Sequence, residues 1–371
     1  MPVIIKPLLA DRREEALSFI QPCESECVNL ASEILRGATD CWRVIYNDEA
    51  SQTDTRANSG SDLQGQKLAG LFALRKKRSL FFCLPFAKYK SAFDKKVCSE
   101  AQRPLMEFFE SREPFCVNGE ATGAIFLRNI LKNKKSPMRA SVTNKYFLMA
   151  RDGSDRARAN SGIESLSQDS GEENQEASQN KKAVHAQNSG GGLRVVQATA
   201  ADYERLLPLE LGYQREEVVP ASFDISDAAL AAAFKHELGQ GLTFALCDGD
   251  RPIAKARVSA CGLRHCMLGG VYTIPSERKK GRAAFLVSQI MSLFESGLDG
   301  QRQTAGGQNS SQGLNAGGGS IDSGKPCSFG IASDSSKPSF CLYAKQENAA
   351  ALALYKSLGF VPRGEYLLVY Y

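Results

Sequence analysis

The chain has 371 residues, enough for two domains, and its 43% hydrophobic and 23% charged residues are ordinary for a globular protein. A net charge of +5 suits an anionic ligand but is too small to argue for a nucleic-acid partner. No window reaches the ~18 uninterrupted apolar residues of a membrane span, and MPVIIKPLLADRREE turns charged too soon for a signal peptide, so a cytoplasmic protein with no membrane partner is expected.

From the N-terminus, helices are expected over about 12–20 and 25–35, then strands CWRVIYN, KLAGLFAL and SLFFCLP. A helix near 102–111, the strand PFCVN, a helix to Leu131 and the strand NKYFLMA complete this half. RKKR at 75–78 reads as a solvated hairpin turn, and the basic run from Lys132 as a solvated surface. Segments 49–66, 153–192 and 297–338 are low-complexity, too polar to offset chain entropy by burial, and are expected to be disordered. The middle one marks a linker over 151–192, and the other two read as loop insertions. That leaves domains at 1–150 and 193–371, the second carrying the insertion 297–338.

In the second half LRVVQA reads as a strand, and Thr199 with Asp202 makes a capping-box start for a helix through Leu211. An alanine-rich helix over 226–238 ends at Gly239. LTFALC and PIAKARVSA form a hairpin across DGDR, followed by a strand from His265 to Thr273. A helix over 282–296 keeps Leu286, Ile290, Leu293 and Phe294 on one face. Strand SFCLYA, a helix over 348–358 and strands around Phe360 and 365–371 close the chain. The eleven cysteines sit mostly in apolar runs; Cys23 with Cys27, and Cys261 with Cys266, lack His partners at zinc spacing. They read as small buried hydrophobes, with no metal site.

Two segments carry chemistry. In VYTIPSERKKGRA, 271–283, Arg278, Gly281 and Ala283 form R-x-x-G-x-A between a strand and a helix. Such a loop aims several N–H groups at one anion, backed by the helix N-terminus, and glycine lets a phosphate approach closely. In QENAAALALYKSLGF, 346–360, Asn348 caps an apolar helix that contains Tyr355 and stops at Gly359. Together and in this order the two segments resemble the GNAT superfamily of N-acetyltransferases. The resemblance covers nearly all of 193–371 apart from the insertion. Residues 1–150 repeat a similar element order but read PFAKYKSAFDK where the loop should stand.

The resemblance implies an α+β or α/β GNAT fold, a mixed and mostly antiparallel sheet with flanking helices, in two tandem GNAT-like domains of which the first is degenerate. It implies acetyl-CoA as co-substrate. N–H groups of Lys279, Lys280, Gly281, Arg282, Ala283 and Ala284 would wrap the pyrophosphate, with charge from Arg278, Lys280 and Arg282. Val271, Tyr272 and Thr273 would pair by backbone with the pantetheine arm, an N–H near Thr273 would hold the oxyanion, and Asn348 would touch the arm as well as cap. Tyr355 would protonate the departing thiolate; on periodicity alone it is a core aromatic. The attacking amine needs a base, for which Glu216 and Glu217 stand after the first helix, His265 is a second candidate, and a water relay is the remaining option. The reaction expected is acetyl transfer to a primary amine of a small molecule, peptide or protein, by direct attack in a ternary complex. Two alternatives are a non-catalytic acyl-CoA-binding regulatory protein and a Fem-type aminoacyl transferase; the intact loop argues against the second.

Overall fold

Among the described residues, runs of branched and aromatic residues give the first half six strands: β1 (Val3–Pro7), β2 (Cys41–Asn47), β3 (Gln66–Arg75), β4 (Ser79–Cys83), β5 (Cys116–Glu120) and β6 (Val142–Arg151). They are flanked by α1 (Arg13–Ile20), α2 (Val28–Leu35), α3 (Ala92–Phe109) and α4 (Ala121–Asn133). The second half holds β7 (Leu193–Gln197), α5 (Tyr203–Tyr213), α6 (Asp227–Leu238), β8 (Thr243–Asp248), β9 (Arg251–Cys261) and β10 (His265–Thr273). It continues with α7 (Arg282–Thr304), β11 (Ser339–Lys345), α8 (Ala349–Ser357) and β12 (Val361–Tyr370). The computed structural model describes residues 3–47, 66–75, 79–151, 192–219, 223, 225–304 and 338–371, with 296–304 as backbone only. Most of the low-complexity segments 49–66, 153–192 and 297–338, with the Arg75–Arg78 turn past Arg75, lie outside the described residues.

The twelve described strands join one sheet in the order β1-β2-β3-β4-β5-β12-β6-β11-β10-β9-β8-β7. Among the described residues only β4–β5 and β10–β11 are parallel, so the sheet is mixed and mostly antiparallel, with helices flanking it as expected. The two halves exchange their last strands. β12 lies against β5, from Tyr366↔Glu120 to Tyr370↔Cys116, while β6 lies against β11, from Phe340↔Arg151 to Lys345↔Tyr146. The division expected near residue 151 therefore does not divide the sheet. The cores follow the exchange: Leu367 and Val369 of β12 pack into the first half's core, and Met149 of β6 into the second's. A smaller cluster (Val28, Leu148, Ala150, Ala260, Met267, Cys341) joins α2 to both halves.

Some elements differ from the expectation. β1 adds an edge strand that its short VII run did not announce. The helix expected at 25–35 starts at Val28, after a 3₁₀ stretch that contains Pro22. The helix expected at 102–111 begins at Ala92, because Ser91 and Asp94 cap each other. The two final strands are one, bulged between Pro362 and Gly364, and α7 runs eight residues past 296. Among the described residues no helix is long and apolar enough to cross a membrane.

Candidate active site

The parallel strands β10 and β11 form a fork. They pair only from His265↔Ser339 to Leu268↔Leu342. Beyond that point the register of β10 against β9 shifts between Gly269 and Tyr272, with Gly270 at φ 60°, and such a bulge bends a strand out of its sheet. Lys255 of β9 supports the bulge. Its ammonium donates to the Gly270 carbonyl at 3.0 Å, pairs with Glu210 at 2.7 Å and lies 4.4 Å over the Tyr213 ring. Further along, the Ile274 N–H bonds the Ile253 carbonyl, so by strand alternation the Thr273 and Val271 peptides face the fork. The Thr273 carbonyl accepts from Arg278 Nε at 3.0 Å, whereas Val271 has no register partner on either neighbouring strand.

The loop leaves the open end of the fork through the turn Pro275–Glu277. Lys279 (φ 60°) and Gly281 (φ 72°) take left-handed backbone, and a Cβ at 281 would meet nothing within 4 Å. After Arg278, whose N–H reaches the Pro275 carbonyl, Phe285 is the next to donate to the backbone, to the Gly281 carbonyl. The N–H groups of residues 279–284 have no backbone acceptor among the described residues. The loop's cations are tethered, however. Arg278 donates to Glu216 at 2.8 and 3.0 Å and lies over the Tyr272 ring, while Lys280 and Arg282 both bind Glu277, at 3.0 and 3.1 Å.

A cavity of about 870 Å³ opens at the fork, a size suited to small-molecule sites. Gly270, Val271, Asn348, Tyr355, Tyr213 and Glu217 line it from the second half, and Asn29, Arg75 and Asn118 from the first. Tyr355 is 8% exposed, edge-on to Phe360, and burial pushes its phenol pKa well above the usual tyrosine range. Asn348 does two things: its Oδ1 accepts the Ala351 N–H, and its Nδ2 donates to Glu217, each at 2.9 Å.

The adjacent carboxylates part company on a π-helical stretch, Gln214–Val218, that ends α5. Glu217 faces the cavity; Glu216 turns to the loop, where it accepts from Arg278 and from the Tyr272 hydroxyl at 3.0 Å. His265 stands at the paired end of β10, its Nδ1 3.0 Å from the buried Glu24 carboxylate and outside the cavity lining. Lys255, Glu210 and Tyr213 were not singled out from sequence. A lysine inside the apolar run PIAKARVSA was the available signal, since a buried lysine needs a partner.

In the first half the parallel pair β4–β5 runs from Ser79↔Cys116 to Phe81↔Asn118, and the Phe82 ring follows it. A Cβ on Gly119 of β5 or Gly123 of α4 would stand 2.2 or 2.4 Å from that ring, so it packs directly against both glycines. The helix that follows β4, α3, carries its own anion. Asp94 accepts the Ser91 N–H at 2.9 Å and Ser91 Oγ accepts the Asp94 N–H at 3.0 Å.

No family model and no curated protein match the chain. Among solved structures it is similar to a Drosophila protein, with a TM-score of 0.49 at 11% identity over 99% of this chain and 98% of that one. It is also similar to a GNAT-family acetyltransferase from Colwellia psychrerythraea (TM-score 0.40, 10% identity, 99% of this chain and 98% of that one). Its similarity to a protein assigned to the GNAT acetyltransferases from Novosphingobium aromaticivorans has a TM-score of 0.32 at 14% identity and covers 62% of this chain, spanning just 65% of that one.

Proposed function

We propose that the chain is an acetyl-CoA-dependent N-acetyltransferase of GNAT type acting on a primary amine held between its two halves. The observation that carries this reading is the β10–β11 fork. At its open end lies a loop whose amides have no backbone acceptor among the described residues, and beside it lies a cavity lined by Tyr355 and Glu217. Acetyl-CoA supplies a thioester, already activated toward an amine. Residues 279–284 bind its pyrophosphate through backbone N–H groups, an arrangement suited to phosphate, and the open space at Gly281 admits it. The Val271 and Thr273 peptides offer strand-like pairing to the pantetheine amides, and an N–H of this edge faces the developing oxyanion.

Tyr355 keeps its proton at neutral pH and donates it as charge grows on sulfur. Glu217 takes the amine proton, directly or through water, and Asn348 orients it. Glu216, tied to Arg278 and Tyr272, steadies the loop instead. The test is thiol release from acetyl-CoA across a panel of amines, run beside calorimetry with acetyl-CoA alone. Turnover with at least one amine supports the reading. Binding without turnover favours the regulatory alternative, and no binding removes both.

A further inference from the structure

Cys23, Cys27 and Cys83 bring their Sγ atoms within 4.8 Å of one another, although Cys83 is 60 residues from Cys23 in sequence. Cys23 sits at a kink in the 3₁₀ stretch before α2 (φ −128°, ψ 23°), Cys27 caps α2, and Cys83 ends β4. We infer that these three thiols form a binding site for a thiophilic d¹⁰ cation, Zn²⁺ or Cu⁺. Three sulfurs at ~2.3 Å from one tetrahedral zinc lie roughly 3.8 Å apart, and a three-coordinate site spreads them slightly more. The Cys23–Cys83 separation of 3.3 Å and the 4.8 Å limit on the triangle bracket that spacing. An ion therefore fits with small side-chain adjustments.

Soft thiolates select Cu⁺ and Zn²⁺ over the harder cations. Among the described residues no fourth His, Cys or carboxylate joins the cluster. Cu⁺ is satisfied by three thiolates; Zn²⁺ would add water, for which half-buried Cys23 leaves a path from solvent. On binding, each ligating thiol gives its proton to solvent and the sulfur lone pair forms the metal bond. The Lys88 ammonium, paired with Glu26 at 2.6 Å, lies beside Cys23.

The position gives the site a consequence. Between the two helix-side cysteines, Glu24 accepts the N–H groups of Arg264 (3.0 Å) and His265 (3.4 Å) at the start of β10, and two residues past Cys27, Asn29 lines the cavity. An ion that clips residues 23–27 to the end of β4 would fix one wall of the acceptor space.

The full chain, reduced and stripped by chelator under anaerobic conditions, is titrated separately with Zn²⁺ and Cu⁺ against a competing ligand and then desalted. The inference expects one ion retained per chain and a raised melting temperature. X-ray absorption should show three sulfurs plus one oxygen for Zn²⁺, or three sulfurs for Cu⁺. Cys83→Ser should lose the ion, and Cys247→Ser, a buried cysteine on β8, should keep it. A buried serine at 83 is itself able to unfold the chain, so a second measurement uses the unaltered protein: metal should block alkylation of Cys23. Equal retention by Cys83→Ser and the unaltered protein would overturn the inference. So would a Cys23 that stays open to alkylation in the loaded protein, or a Cys23–Cys83 disulfide as the resting state.

Discussion

Replacing Tyr355 by Phe removes one hydroxyl from a ring packed against Phe360 and leaves the packing in place. If that hydroxyl protonates the leaving sulfur, turnover should fall by ~10²-fold with little change in acetyl-CoA affinity. Burial raises the Tyr355 pKa, so the phenol stays protonated beyond its ordinary value of about 10. If the proposed reaction holds, the unaltered protein should therefore show no loss of rate from this group at moderately basic pH, and a pH–rate series checks it. Wild-type turnover in Tyr355→Phe across that series would make the residue a core aromatic only.

The Glu210–Lys255 pair is the other residue-scale test. Burial alone would raise the Glu210 pKa, but Lys255 overrides it and the carboxyl is held below its usual range. A depressed carboxyl contributes stability above its unfolded pKa of about 4.3, and that contribution is lost as pH falls through the folded value. Acid melts should show the loss, and a Glu210→Leu/Lys255→Met double variant should not. Lys255→Met alone strands a buried carboxylate and should cost about 3–5 kcal/mol, the double variant clearly less. Denaturant melts of the cycle measure the difference.

Elements were legible where the signal is local. Ser226, Thr199 and Asn348 cap the helices they were expected to start, and DGDR turns the β8–β9 hairpin. The R-x-x-G-x-A loop lies between its strand and helix, where residues 279–284 have no backbone acceptor among the described residues. Signals that need a distant partner were not legible. The local sequence leaves the charge at Arg278 available, whereas Glu216, 62 residues earlier, holds it. Nothing near Phe82 says that its ring will pack against Gly119 of β5 and Gly123 of α4. At this scale the decisive change is Gly281→Glu. It places a carboxylate at the cradle, and the left-handed backbone there costs a side chain about 1–2 kcal/mol. Calorimetry should show acetyl-CoA binding abolished while the circular dichroism spectrum is kept; retained affinity would end the functional reading.

The exchange of β6 and β12 governs the whole molecule and was invisible in sequence, because pattern fixes which runs are strands while only short hairpins fix neighbours. It bears directly on dissection. Residues 1–150 alone lack the β12 that separates β5 from β6, and residues 193–371 alone lack the β6 that covers β11. Neither fragment should give a cooperative melt or bind acetyl-CoA, whereas mixing the two should recover both properties. Independent folding of either fragment, followed by calorimetry and size exclusion, would show that the exchanged strands are dispensable.

Synthesis meets the same topology as a problem of timing. β6 leaves the ribosome more than two hundred residues before β12, the strand that must lie between it and β5. Through that interval the nascent first half presents two bare strand edges, the kind of surface that recruits other chains. A β12 from a neighbouring copy satisfies those edges as well as the chain's own does, so crowding during refolding should favour intertwined dimers, and dilution the monomer.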